Sequence, residues 1–189
     1  RLQKLGRRPR LSSQTTARRV HLIGWLCCAF IVFLQSPGKT VADTKHDLVA
    51  NPARFLGGAL HAWTDTFPLG QLQNQAYGYL FPQGLFFLLT DPLPDWIAQR
   101  LWWLIVVGVG FSGFFTLLNR LGRSKGQSKE WSSTAFMVLA AMLYAFSPRT
   151  ISTLGAISSE TWTVMLAPWV TVPFVQPITR VGPAFRAVA

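Results

Sequence analysis

The chain has 189 residues, half of them hydrophobic, with only 13% charged and a mean hydropathy of +0.28. A soluble domain needs roughly a quarter of its residues charged to keep its surface in water, and eight Trp and fourteen Phe are far too many for a disordered chain. Both classes are excluded, and the composition is that of a membrane protein.

The net charge of +11 is distributed unevenly. Seven basic residues (Arg1, Lys4, Arg7, Arg8, Arg10, Arg18, Arg19) precede the first apolar run, four (Arg120, Arg123, Lys125, Lys129) share one short link, and Arg180 and Arg186 follow the last apolar run. These segments lie on one side of a membrane if each apolar run crosses it, which is the positive-inside bias. Anionic membrane lipids are the expected partners of the charges. No nucleic acid is expected, because no aromatic-plus-basic module accompanies them.

In chain order, residues 1–19 read as a cytosolic basic tail with Pro9 and Ser/Thr-rich turns. The first span is 20–36, built on the uncharged run VHLIGWLCCAFIVFL. Its length also suits a signal-peptide core, but no small-residue cleavage site follows it cleanly. The adjacent Cys27 and Cys28 project about 100° apart on a helix, so they do not form an ordinary disulfide. They read as small apolar residues, with palmitoylation as the alternative.

Residues 37–99 form a long outer, periplasmic loop holding five of the seven acids: Asp43, Asp47, Asp65, Asp91 and Asp95. Within it, residues 77–89 are apolar but broken by Pro82 and Gly84, which predicts an interfacial or re-entrant piece. Trp63, Tyr77, Tyr79 and Trp96 suit an aromatic belt at headgroup level. The second span is 100–118, and Gly108 and Ser112, four residues apart, give it one face small enough for close helix packing. A basic cytosolic loop follows at 119–130, then a third span at 131–147 and a second outer loop at 148–160. A fourth span at 161–176, kinked by Pro168 and Pro173, leads to a cytosolic tail at 177–189. The fold class expected is an all-α polytopic membrane protein. Four short spans and a first residue other than Met suggest part of something larger.

The most informative cluster is Asp43-Thr44-Lys45-His46-Asp47-Leu48, soon after the first span. Two carboxylates four residues apart share one helix face, or flank one site if the segment is extended. With Lys45 and His46 between them they suit a general base, a phosphate held by Lys, or a divalent cation held by oxygen ligands. The plainer reading is an amphipathic helix start, with Asp43 as its cap and Asp47 solvated. Zinc held by His46 and His61 with either Asp lacks ligand spacing. His21 reads as a polar residue at headgroup level. Glu160, just before the fourth span, is either a charge at a helix start or a second acid approaching the first. Arg54, Arg100 and Arg149 are cations for a phosphate or for lipid headgroups. Nucleophile elbows, Walker motifs and nucleotide fingerprints do not occur.

Residues 43–56 (DTKHDLVANPARFL), Trp63, residues 67–82 (FPLGQLQNQAYGYLFP), residues 102–113 (WWLIVVGVGFSG) and residues 158–162 (SSETW) resemble the actinobacterial α-(1→3)-arabinofuranosyltransferases of the AftD type. The resemblance covers most of residues 20–175. It implies GT-C-like transmembrane helices and a glycosyltransferase that moves arabinofuranose from decaprenylphosphoryl arabinose onto cell-wall arabinan, of arabinogalactan and lipoarabinomannan, with inversion. It also implies that Asp43 is the catalytic base of the first outer loop and Asp47 the second acid. Glu160 is then a third acidic candidate. Lys45 suits the donor phosphate, with His46, Arg54 and Arg149 as further substrate-binding candidates. A plasma-membrane location with a cytosolic amino terminus and a periplasmic active face follows. A cytosolic acyl carrier protein is the partner the family suggests for the basic face. Members of the family are several times longer, so this chain corresponds to an amino-terminal part. The rival readings are a non-catalytic membrane scaffold or assembly subunit and a GT-C enzyme using a different lipid-linked sugar. A transporter fragment ranks below both, because the spans lack ionisable residues apart from His21.

Overall fold

The computed structural model describes residues 11–42, 45–64, 69–72, 76–124 and 134–175. It is mostly helical, and one helix organises the rest. That helix, α5 (Asp95–Ser124), is 30 residues long, about 45 Å at 1.5 Å per residue. It packs against α1 (Leu11–Leu34), α6 (Thr134–Ala145) and α8 (Ser158–Val175). Gln35 meets Arg100 at one end of the α1/α5 pair, and His21 meets Ser112 towards the other, so the two helices run antiparallel. The upper end carries Gln35, Arg100 and Glu160; the lower end carries Arg18, Arg19 and Arg120.

Among the described residues, two helices are long and apolar enough to cross a membrane, over Ala17–Leu34 and Asp95–Gly122. A third span exists if α6 and α7 (Pro148–Leu154), bent by 40°, are taken together. The bend falls at Ser147-Pro148, where Pro148 takes the first position of α7 and the Ser147 hydroxyl accepts the Thr150 N–H. Proline at that position gives up only an N–H that no helical partner would take.

In lipid, apolar burial does not drive helices together; close packing and interhelical hydrogen bonds do. The small face predicted at Gly108 and Ser112 meets α1 in this way. A Cβ on Gly108 would lie 2.8 Å from the Trp25 ring, so only glycine lets the indole lie flat on α5. Trp25 Nε1 donates to Ser112 Oγ at 3.0 Å, and His21 Nδ1 lies 3.1 Å from the same oxygen. His21 is therefore an interhelical contact rather than a headgroup residue. Cys28 is buried and Cys27 exposed, both with free thiols. Leu22, Leu26, Phe30 and Leu34 form an exposed stripe at four-residue spacing along the outside of α1.

On α8 the chain repairs a fault of its own making. Pro168 has no N–H, which leaves the Val164 carbonyl, four residues back, without its helical donor. Tyr144 Oη, reaching across from α6, donates to that carbonyl at 2.5 Å. Trp169 Nε1 donates to the Val109 carbonyl of α5 at 2.9 Å.

The excursion between α1 and α5 is clasped at its base. The Gln99 side-chain amide pairs with both backbone groups of Val41: its Oε1 accepts the Val41 N–H at 2.8 Å, and its Nε2 donates to the Val41 carbonyl at 2.7 Å. Above the clasp lie α2 (His46–Ala50), α3 (Pro52–Ala59) and a two-residue antiparallel ladder, β1 (Trp63–Thr64) with β2 (Gln71–Leu72). That ladder is a small departure from the all-α expectation. Gly70 closes it with φ +65°, and the Trp63 indole occupies the space a Cβ would need.

The broken apolar stretch forms a 3₁₀ turn (Ala76–Tyr79), a wide turn (Leu80–Gly84) and α4 (Leu85–Thr90). Phe81 is extended, at φ −143° and ψ 138°, as a residue before proline prefers. The segment folds back onto the bundle: Phe86 and Phe87 pack on Trp102, which stacks on Trp162 at 5.5 Å between centroids.

Three boundaries differ from the sequence expectations. Residues 11–19, expected as part of a tail, already belong to α1, because nothing after Pro9 interrupts the helical register that the apolar run continues. The second span starts at Asp95 instead of 100, since Gln99 and Arg100 find partners inside the protein. The first helix of the loop has Lys45, not Asp43, at its N-cap, so the reading of Asp43 as the cap does not hold. Residues 125–133 and 176–189, including half of the basic link and the expected carboxyl-terminal tail, lie outside the described residues.

Candidate functional site

The predicted site residues divide into three groups. Asp43, the expected base, lies outside the described residues, as does Thr44. His46, Asp47 and Arg54 are exposed on the α2–α3 turn. Short-range bonds fix that turn: Asn51 N–H donates to the Asp47 carbonyl at 2.9 Å, and the Asn51 side chain accepts the Arg54 N–H at 3.0 Å. Its polar side chains are thereby held at the surface of the upper end. Buried Leu48 and Val49 anchor α2 from beneath.

The third group is brought together by a residue the sequence did not single out for chemistry. Lys45 Nζ lies 5.7 Å from the centroid of the Tyr79 ring, within reach of a cation–π attraction. Tyr79 Oη accepts a hydrogen bond from Ser159 Oγ at 3.3 Å, and its ring meets Phe55 edge-on at 6.2 Å. The next residue, Glu160, sits in the first turn of α8 and pairs with Arg149 of α7 at 3.9 Å. Lys45, Tyr79, Ser159, Glu160 and Arg149 thus form one continuous polar line across the upper end, joining parts of the chain more than a hundred residues apart. Both partners of the Arg149–Glu160 pair are well exposed, so solvent screens it and a ligand can compete for either side chain.

Beneath this line the fold-back segment is pinned to α8. Gln83 Nε2 donates to Ser158 Oγ at 3.1 Å, and both residues are buried. Thr161 Oγ1 donates to Thr153 Oγ1 at 2.9 Å and so ties α7 to α8. The Gln83–Ser158 contact sets where Tyr79 stands relative to Ser159 and Glu160. Its only sequence signal is an amide between Pro82 and Gly84 in an apolar run. Among the described residues, no three His, Cys, Asp or Glu side chains come together as a metal site.

Arg100 is not part of this line. It is 1% exposed at the upper end of α5, with its guanidinium 4.2 Å from the Trp103 ring centroid. The surface-cation reading does not describe it.

Comparison with known proteins agrees with this architecture. Residues 27–189 match the family described as α-(1→3)-arabinofuranosyltransferase, N-terminal GT-C domain. An α-(1→3)-arabinofuranosyltransferase of Mycolicibacterium smegmatis is 50% identical over 147 residues, covering 77% of this chain and 10% of that protein. One from Mycobacterium tuberculosis is 46% identical over 162 residues, covering 84% and 11%. The cryo-EM structure of arabinofuranosyltransferase AftD from mycobacteria superposes with a TM-score of 0.73 at 44% identity, covering 84% of this chain and 12% of that one. The chain therefore spans about a tenth of the length of these relatives. With a family match over most of its length and helices arranged as in the solved relative, the chain belongs to the α-(1→3)-arabinofuranosyltransferase family, corresponding to its amino-terminal GT-C domain.

Proposed function

We propose that this chain supplies the outer-face half-site of a membrane glycosyltransferase that transfers arabinofuranose from a polyprenyl-phosphate donor, decaprenylphosphoryl arabinose, to cell-wall arabinan with inversion. The observation that carries the reading is the polar line of Lys45, Tyr79, Ser159, Glu160 and Arg149 at the end of the bundle remote from Arg18, Arg19 and Arg120, in a chain of this family. The positive-inside bias puts the basic end in the cytosol and the polar line on the periplasmic face of the plasma membrane.

In this reading Asp43 takes the proton of the acceptor hydroxyl, the oxygen attacks the anomeric carbon from the side opposite the phosphate, and the lipid phosphate leaves with the bonding electrons. A general base must lie within hydrogen-bond reach of the proton it takes, and Asp43 stands two residues before Lys45 at the head of α2. Lys45 and Arg149 are cations of the kind that stabilises a departing phosphate. Asp47 and Glu160 are the further acids, with His46 and Arg54 at the acceptor side. A divalent cation between such acids and the phosphate would serve the same end. At the cytosolic end, Arg18, Arg19 and Arg120 face anionic lipid headgroups and offer a docking face to an acidic protein such as acyl carrier protein.

The test is arabinose transfer to a short arabinan acceptor in membrane vesicles, comparing the full-length protein with its Asp43→Asn variant. The expected result is loss of transfer at unchanged expression. Normal transfer by Asp43→Asn would make the cluster structural and leave the domain as a scaffold, the rival reading.

A further inference from the structure

We infer that Tyr79 is a positioning residue for donor binding: its ring holds Lys45 ready for the phosphate of a polyprenyl lipid without cancelling the lysine's charge. The inference rests on the proposed reading of Lys45 as a cation for the donor phosphate. Two cations stand on the polar line, and they are held differently. Arg149 faces the Glu160 carboxylate at 3.9 Å, so part of its charge is already answered. Lys45 has no carboxylate within ion-pair distance among the described residues. Its Nζ lies instead 5.7 Å from the centroid of the Tyr79 ring. An aromatic face attracts an ammonium through its quadrupole and carries no net charge of its own. A cation held in this way keeps its full charge for an incoming anion, and its N–H donors can still turn to an oxygen.

The hold matters because lysine is a flexible stem that loses rotamer freedom when it grips a ligand. The ring, by contrast, is fixed from several sides. Phe55 of α3 meets it edge-on at 6.2 Å, and Ser159 Oγ donates to its hydroxyl at 3.3 Å. The Tyr79 carbonyl oxygen occupies the space that a Cβ on Gly84 would need, so glycine there lets the turn close tightly. The neighbouring Gln83 pins that turn to Ser158. A fixed ring beside a flexible cation narrows the arc the cation sweeps. Groups ordered in advance bind more tightly, because less ordering remains to be done. Tyr79 thus sets where Lys45 stands relative to Arg149 and Glu160.

The measurement is equilibrium binding of a radiolabelled polyprenyl monophosphate to the detergent-purified full-length protein, with phosphate-free polyprenol as the control ligand. The proteins compared are the unsubstituted form, Lys45→Gln, Tyr79→Leu, Tyr79→Phe and the double variant Lys45→Gln/Tyr79→Leu. Lys45→Gln should weaken monophosphate binding about tenfold or more, the size of a charge-assisted hydrogen bond. Tyr79→Leu should weaken it about two- to five-fold, the loss of a cation–π contact at an exposed site. It should add nothing once Lys45→Gln is present. Tyr79→Phe keeps the ring and should bind as the unsubstituted protein does, and polyprenol binding should be the same throughout. A loss with Lys45→Gln but none with Tyr79→Leu overturns the inference and leaves the reading of Lys45 standing. No loss with Lys45→Gln overturns both. An equal Tyr79→Leu loss in the Lys45→Gln background, or a matching loss in Tyr79→Phe or for polyprenol, also overturns the inference. The side chain would then act on the fold and not on the cation. If Tyr79→Leu does not fold, pentafluorophenylalanine at position 79 replaces it. That residue keeps the ring's shape and reverses the charge distribution of its face, so the same loss is expected. Because the readout is binding, these outcomes stand apart from whether Asp43 catalyses transfer.

Discussion

Tyr144→Phe is the substitution that most directly tests how α8 tolerates a proline in its middle. The change removes one oxygen. The ring, stacked on Phe114 at 4.5 Å between centroids, keeps its packing, so the effect isolates the hydrogen bond to the Val164 carbonyl. Interhelical hydrogen bonds in membrane proteins are worth about 0.6 to 1.7 kcal/mol. Val164 is itself exposed, so this bond is expected to fall within that range, at about 1 kcal/mol. The decisive control is Pro168→Ala, which restores the backbone N–H that Val164 lacks. In that background the carbonyl regains its helical donor, and Tyr144→Phe should cost under about 0.5 kcal/mol, the usual size for a substitution with no named mechanism. The four proteins would be unfolded by titration with sodium dodecyl sulfate in mixed micelles, followed by circular dichroism. The expected coupling is about 0.5–1 kcal/mol. An equal cost in both backgrounds, or no cost with Pro168 present, would refute the account of Tyr144 as the donor that Pro168 removed.

Three further outcomes follow from the packing. Ser112→Ala should destabilise by about 1–2 kcal/mol in the same titration, since the Ser112 hydroxyl serves both Trp25 and His21; the loss should shrink when Trp25→Phe is already present. Gln83→Leu should cost about 1–3 kcal/mol by removing the buried bond from its amide to the Ser158 hydroxyl, and hydrogen exchange should rise first in residues 79–90. Glu160→Gln should change stability by less than about 0.5 kcal/mol, because its pair with Arg149 is long and exposed. A fall in arabinose transfer at that unchanged stability would mark Glu160 as chemical rather than structural.

The parts of the structure that were legible in the sequence are those written in local patterns. The first and second apolar runs became α1 and α5, and the four-residue spacing of Gly108 and Ser112 placed the face that meets Trp25. The proline and glycine in residues 77–89 fall where the structure breaks that segment into a wide turn and α4. What could not be read depended on partners distant in the chain. Arg100 looks like the end of an apolar run because its charge is visible and the Trp103 face that covers it is not. Gln99 looks like solvent-facing polarity until Val41, 58 residues earlier, supplies both halves of a peptide pair. Tyr79 reads as one of several belt aromatics; only the tertiary fold sets it between Lys45 and Ser159. For the candidate site, the acids and cations were named from residue type and position, whereas their arrangement as a line came from the fold-back pinned by Gln83.

The Gln99–Val41 clasp also bears on how this protein can change over evolutionary time. Because the excursion is closed at its base by side-chain bonds to backbone, the helices below do not register how much chain lies above. Doubling the length of a flexible closed loop adds only about 0.6 kcal/mol of closure entropy. Insertions and deletions between residues 42 and 94 are therefore cheap as long as they spare the pinned segment around Gln83, while a shift of a single residue at Val41 or Gln99 is not. Length variation among related chains should accumulate in the parts of the excursion outside that pin, and the two clasp positions should mark where alignments come back into register.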